Sequence, residues 1–345
     1  MLSQYRRSHG IPQNIGLFTS PHLIAVRERI RINSVPLSAD LFAKYFFEVW
    51  DSLETAAAHS DVPFEKPVYF RYLNLMSYHV FLQEKVDAAI YEVGMGGEHD
   101  STNIVDRPTV TGISALGIDH TPALGDTIDK IAWHKAGIQK KDVQSFTVPQ
   151  LPPAMEVIEK RAKERNVKSL SVVGLDPRLE AVKIRPNAPF QKSNASLAIA
   201  LTESLLKTLD PSFQPDPQYL EKEFVDGLEQ VGLRGRCETK VDGDITWYLD
   251  GAHTADSIKI AAKWFGDECA PKYASPLIHL KYAYRNSRSG PRILIFNQQG
   301  HREPVEILEG LYNAIKSQNN VNFEHVIFCP TVPSAQASKI GLLCT

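Results

Sequence analysis

Closely spaced cysteines are missing from this sequence. The four present, Cys237, Cys269, Cys329 and Cys344, form no CxxC pair, which argues against a zinc ribbon or a disulfide framework and fits a reducing compartment. Long apolar runs are missing too, since no stretch reaches the roughly 18 residues of a membrane-spanning helix. The first ten residues carry Arg6 and Arg7 but no apolar core of a secretory signal. Excess charge is also lacking: 38 Lys and Arg against 40 Asp and Glu leave a formal charge of -2. Neither nucleic acid nor an anionic membrane is therefore expected as a partner. The reading is a soluble, unsecreted, cytoplasmic protein, with a mitochondrial isoform open, that works on small molecules.

What is present is an ordinary globular composition, 43% hydrophobic and 23% charged over 345 residues, a length that favours two domains. Residues 1–9 read as the last turns of a helix stopped by Gly10, with Pro12 beyond it. Ser38 is a natural N-cap for a helix that lines up Leu41, Phe42, Tyr45, Phe46, Val49, Trp50 and Leu53 on one face, expected to pack on a sheet. Residues 69–85 are apolar nearly all round, as in a buried helix. Two short apolar strands follow, at 87–93 (DAAIYEV) and 109–116 (TVTGISAL), and each ends in a polar turn. Strands alternating with helices predict a parallel α/β sheet with its ligand beyond the carboxyl ends of the strands.

The run 175–190, rich in proline and charge, is read as the domain boundary, giving domains 1–183 and 184–345. The second half repeats the α/β pattern: a helix near 193–209, strands at 246–249, 292–296 and 326–328, and a helix running to Phe265. Residues 266–291 read as a surface insertion. No internal repeat or low-complexity tract occurs.

Five segments stand out along the chain. They are LFTSPHL with ERIRIN (17–33), EVGMGGEHDSTN (92–103), GIDHTPALGDTIDKIAWHKAGI (117–138), RGRCE around Arg236, and LDGAHTADS (249–257). In this order, over almost the whole chain, they resemble the folylpolyglutamate synthases, the folate-ligase branch of the Mur ligase superfamily, in its eukaryotic form. The resemblance implies a P-loop NTPase-like parallel-sheet domain followed by a smaller Rossmann-like α/β domain.

Each residue also has a plainer reading. Glu92 at a strand end is costly to bury unless a cation or donor compensates it, and by itself could be a structural partner of an arginine; the resemblance makes it a Mg²⁺ ligand. His120 could be an ordinary hydrogen-bonding residue, since Mg²⁺ prefers oxygen to imidazole; the resemblance makes it a second metal ligand. Ser20 could simply help the TSPHL turn, whereas the resemblance puts its hydroxyl near the metal and makes the segment through Arg31 a folate-holding loop. Gly94, Gly96 and Gly97 leave backbone N–H groups unobstructed.

Lys135 would ordinarily be a snorkelling surface lysine; the resemblance implies a carbamate on it, an anionic oxygen ligand for a second Mg²⁺. Many members have Glu or Gln where this chain has His134. Asp250 could be only a helix N-cap, but the resemblance sets Asp250 and His253 beside the nucleotide, with Arg236 and Asn194 as ATP contacts. Arg236 and Asn194 could equally be surface residues.

The implied reaction consumes ATP, a tetrahydrofolate or its polyglutamate, and L-glutamate, with Mg²⁺ as metal and a monomer as the working form. Alternatives are a bifunctional dihydrofolate synthase or a non-catalytic folate-binding fragment. The Walker A loop GxxxxGK[ST] does not occur in these residues. The resemblance places it just upstream of Met1, together with the strand before it, and places further α/β units beyond the last residue. The sequence reading thus expects a chain truncated at both ends that does not ligate glutamate alone.

Overall fold

Residues 1–59, 65–269, 290–297, 304–316 and 322–329 are described by the computed structural model. They fall into two compact units, Met1–Val231 and the chain from Gly232 onward. The first opens with α1 (Leu2–His9), which Gly10 stops in the left-handed region at φ 73°, a conformation that costs a residue without Cβ little. β1 (Ile15–Phe18) follows and pairs antiparallel with β2 (Ile30–Ile32). Asn33 and Ser34, at φ 52° and 71°, turn the chain into β3 (Val35–Pro36). Two residues at positive φ are what a tight hairpin of right-twisted strands requires. This hairpin, formed by the ERIRIN segment, adds an antiparallel edge to β1.

α2 (Ala39–Ala58) begins as the sequence anticipates, with the Ser38 hydroxyl accepting the Leu41 N–H at 3.2 Å. Its apolar face packs chiefly on α3 (Tyr69–Gln83), because α3 lies between it and the sheet: Tyr45 and Val49 join Tyr72, Leu73 and Met76, with Phe18 and Ile30 in the same core. β4 (Ala88–Tyr91) then runs parallel to β1, giving the order β3-β2-β1-β4.

A second, wholly parallel sheet contains β5 (Val110–Ile113), β6 (Gln144–Thr147) and β7 (Ser169–Val172). After β5 come the short α4 (Thr121–Leu124) and α5 (Ile128–Lys135), and α6 (Pro152–Glu164) joins β6 to β7. Ala132, Ala136, Ala154 and Ile158 of this helical layer bury against Ile113. α7 (Pro189–Leu209) packs on β5 and β6 through Leu197, Phe146 and Val148. It lies so close that a Cβ on Gly112 would stand 2.7 Å from Leu201. Among the described residues β4 pairs only with β1 and β5 only with β6.

The boundary read at 183/184 falls inside this first unit. Leu179, Val182 and Ile184 are buried in one core with Leu2 and Tyr5 of α1, Ile199 and Leu206 of α7, and Phe224 of α8 (Lys222–Gln230). The Tyr5 hydroxyl donates to the Asp210 carboxylate at 2.7 Å, and Arg178 is held between Asp176 (2.6 Å) and Glu203 (2.9 Å). The run is therefore fastened at several points, and the two compact units meet at Val231.

In the second unit β8 (Glu238–Asp242) pairs antiparallel with β9 (Ile245–Leu249). α9 (Ala255–Cys269) packs on α10 (Pro304–Lys316) through Ala262, Phe265, Leu311 and Ile315. β10 (Ile293–Phe296) lies parallel to β11 (His325–Phe328). Of the expected insertion, residues 266–269 continue α9, and 270–289 lie outside the described residues. Among the described residues no helix is long and apolar enough to cross a membrane.

The link between β1 and β2 is closed by one side chain. Glu28 accepts the N–H groups of Leu23 (3.0 Å), Ile24 (3.1 Å) and Ala25 (2.9 Å), and these bonds hold its carboxyl down from 4.5 to about 2. Leu23 and Ile24 are left 51% and 70% exposed, so the loop presents two apolar side chains that its own packing does not use.

Two outcomes are expected. Ile158→Ala, at a fully buried site between α6 and the sheet, should cost about 2–5 kcal/mol in urea unfolding followed by circular dichroism; an unchanged midpoint would contradict this packing. For Glu28 the folded pKa is depressed, so its contribution is complete above pH 4.5 and is lost as pH falls towards about 2. The amide resonances of Leu23, Ile24 and Ala25 should shift together with a midpoint near 2. A midpoint near 4.5 would mean the carboxylate does not hold the loop.

Candidate functional site

Parallel pairing of β1 with β4 sets Phe18 beside Tyr91, so the residues that follow each strand emerge together. The Glu92 N–H donates to the Phe18 carbonyl at 2.9 Å, extending the ladder by one residue. Its side chain then turns back: Oε2 accepts the Thr19 hydroxyl and, at 3.0 Å, the Ser20 N–H. Among the described residues Oε1 takes no hydrogen bond. The sequence expects Glu92 to be buried and compensated, but the structure exposes it. What the two donors supply is orientation.

Ser20 is thus brought to Glu92, through its backbone, in the turn containing Pro21. His22 Nδ1 accepts from Arg29 Nε at 2.9 Å, and Arg29 lies 5.5 Å from the Tyr69 ring. Next to this loop, Val26, Phe42, Phe46, Trp50, Tyr69 and Tyr72 line an aromatic groove of about 310 Å³.

His120 sits beyond β5 in the left-handed region at φ 54°, with its N–H on the Asp119 carboxylate at 2.8 Å. Its ring stands 3.7 Å from the same carboxylate. Among the described residues no hydrogen bond or ion pair joins His120 to Glu92, and there no three His, Cys, Asp or Glu side chains cluster closely enough to hold an ion. A cation at Glu92 would draw most of its remaining ligand positions from water and ligand oxygens, the usual manner of Mg²⁺. An oriented carboxylate with one oxygen uncommitted fits that role.

The glycines of the GMGG turn are required by close packing. A Cβ on Gly94 would lie 2.4 Å from the Phe70 ring, and one on Gly97 2.8 Å from the His134 carbonyl. Asp100 holds the turn by accepting the Met95 N–H at 3.0 Å. Lys135 ends α5 and is half-buried, not a snorkelling surface lysine. Desolvation lowers its pKa, partly opposed by the charges of Asp119 and Asp100. Its neighbour His134 is likewise lowered, first by desolvation and then by His99 and Arg161. A groove of about 470 Å³ beside α5 is lined by Leu124, Lys130, Trp133, His134, Lys160 and Arg161 among others.

Asn194, read as the start of the second domain, is exposed on α7 in the first unit, with Nδ2 3.4 Å from Gln191 Oε1. In the second unit Asp250 is not the cap of α9. Its oxygens accept the N–H groups of Cys237 (2.6 Å) and Ala252 (2.7 Å), while Thr254 and Ser257 cap the helix reciprocally, at 3.2 and 2.9 Å. Arg236 is drawn into the same turn: a Cβ on Gly251 would lie 2.4 Å from its Nη1. His253 Nδ1 donates to the Gly251 carbonyl at 2.8 Å, which fixes the ring's tautomer. Burial, then the Asp250 charge, pushes the Cys237 thiol up to about 12, so it is inert as a nucleophile.

Sequence reasoning missed Thr19 and Glu28, both inside the quoted first motif, and Glu98, inside the second. It also missed Arg161, which no motif marks.

No family model matches the chain. It is 57% identical over 339 residues to a folylpolyglutamate synthase of Neurospora crassa, covering 97% of this chain and 61% of that protein. It is 46% identical to one of Candida albicans, covering 95% and 64%, and 41% identical to a probable one of Schizosaccharomyces pombe, covering 96% and 63%. The chain thus spans somewhat under two thirds of the length of these curated relatives. Among solved structures, a folylpolyglutamate synthase in complex with AMPPCP and folate superposes with a TM-score of 0.71 at 22% identity, covering 95% of this chain and 83% of that one. The Mycobacterium tuberculosis enzyme complexed with ADP gives 0.72 at 22% identity, covering 95% and 70%. At that identity the structures establish the shared two-domain α/β fold. The sequence relationship goes further: over the part of those proteins that it spans, this chain belongs to the folylpolyglutamate synthase family.

Proposed function

We propose that these residues form part of an ATP-dependent carboxylate–amine ligase that extends a tetrahydrofolate, or its polyglutamate, by one L-glutamate. The reading rests on the Glu92 carboxylate, aimed by Thr19 and Ser20 at the carboxyl ends of β1 and β4 with Oε1 uncommitted. In such a reaction the γ-phosphoryl of ATP passes to the folate carboxylate, giving an acyl phosphate and ADP. The glutamate amine then attacks the acyl carbon and phosphate leaves, with one proton released. A bound Mg²⁺ would neutralise phosphate charge during transfer.

The chain's own groups suit the task. Glu92 would hold the cation, with His120 and the Ser20 hydroxyl completing its surroundings. Lys135, desolvated and so richer in free amine, could take up CO₂ as a carbamate and offer an anionic oxygen to a second cation. Leu23, Ile24 and the aromatic groove beside their loop offer apolar contact to the flat part of a folate. In the second unit Arg236 offers positive charge to phosphate, and Asp250 holds the turn that carries His253. Asn194 is a further candidate nucleotide contact. The working form is proposed to be a cytoplasmic monomer.

The test is ligation of labelled glutamate to tetrahydrofolate by the whole protein. Glu92→Ala and His120→Ala should each lower Mg²⁺-dependent turnover by about 100-fold or more, with unchanged circular dichroism. Wild-type turnover in both at ordinary Mg²⁺ would remove these residues from the site.

A further inference from the structure

Beside the proposed site lies an arrangement that neither the reaction nor the motifs explain. Glu98, which follows the GMGG turn, places one carboxylate oxygen against both Arg161 of α6 and Arg165, the residue that caps its C-terminus. The three side chains are only 19%, 12% and 24% exposed. Two guanidiniums thus share one oxygen, and the Nε of each arginine is buried with no hydrogen-bond partner. Such a cluster is a poor source of net stability, because desolvating the charges costs more than a single shared oxygen returns. It does fix geometry. Arg161 also stacks on Trp133 of α5 at 4.5 Å, and Arg165 donates to the Gln139 carbonyl at 3.3 Å.

The backbone of Glu98 is tied to the end of α5. Its N–H donates to the His134 carbonyl at 2.7 Å, and Asn103 Nδ2 bridges the carbonyls of Glu98 (3.2 Å) and Gly137 (3.0 Å). Glycine at 137 is obligatory, since a Cβ there would lie 2.3 Å from Glu98 Oε2 and 2.4 Å from its Cα. The residues gripped, 134 and 137, flank Lys135. Glu98 itself is six residues along the same turn from Glu92.

We propose that Glu98 and Arg161 are positioning residues, α6 acting through the Glu98 carboxylate to fix the last turn of α5, and with it the Lys135 amine, against the turn that carries Glu92. The catalytic meaning of this device rests on the function proposed above; the device itself does not.

The experiment measures acylation of Lys135 by a small anhydride on the folded chain at one pH, read by peptide mass spectrometry. Lys44, exposed on α2, serves as internal control. Glu98→Gln and Arg161→Ala should each change the Lys135 rate several-fold relative to Lys44, and the double variant should change it no further than either single one. Glu98→Asp, which keeps the charge but shortens the reach, should also change it and stands in if Glu98→Gln does not fold. An unchanged Lys135 rate in the folded variants, or single effects that multiply in the double variant, would overturn the proposal. Ligation by the whole protein is the second readout: Arg161→Ala should lower kcat with little change in KM. If labelling changes as stated but kcat does not, the positioning stands and the catalytic assignment of Lys135 falls.

Discussion

Parallel pairing of β1 with β4 is the constraint on which the candidate site depends. It brings the carboxyl ends of two strands, 73 residues apart at Phe18 and Tyr91, to neighbouring positions. The next residues on each side then meet as Thr19, Ser20 and Glu92. A carboxylate on an exposed turn would ordinarily sample several rotamers. Here a hydroxyl and an N–H from the neighbouring strand fix one oxygen, so the other is presented in a defined direction. Preorganisation of this kind lowers the entropy lost when a ligand oxygen or cation is captured.

The same logic recurs in the second unit without a parallel pair. There β8 and β9 are antiparallel, with Glu238 opposite Leu249, so the start of one strand lies next to the end of the other. Asp250 meets Cys237 across that junction, and the aspartate spends both oxygens on backbone N–H groups. The cap of α9 falls to Thr254 and Ser257. Asp250 is thus committed to shaping its turn, whereas Glu92 keeps one oxygen available, and the two acidic residues are suited to different work.

Much of this was legible in the sequence, for local reasons. Gly10, Ser38 and the 3.6-residue spacing from Leu41 to Leu53 act through neighbouring backbone and one helix face, so α1 and α2 appear where expected. β4, β5 and β9 were readable as short apolar runs with polar ends. The ERIRIN hairpin was not, because its turn depends on Asn33 and Ser34 adopting positive φ, which neither residue type enforces. The prolines and charges in 175–190 hid Leu179, Val182 and Ile184, whose burial depends on the distant α1. Glu98 and Arg161 lie 63 positions apart, and no spacing rule links them. The role of Gly97 and Gly137 as points of close approach likewise needs coordinates to be seen.

The central claim is that a carboxylate held by the end of β1 receives a divalent cation at the end of β4. Mn²⁺ substitutes for Mg²⁺ at oxygen-rich sites and scatters anomalously, so crystals of the whole protein grown with Mn²⁺ and a non-hydrolysable ATP analogue test it directly. The account predicts an anomalous peak within about 2.5 Å of Glu92 Oε1, absent in crystals of Glu92→Gln. A peak elsewhere in the nucleotide-bound protein, with Glu92 still bonded only to Thr19 and Ser20, would contradict it.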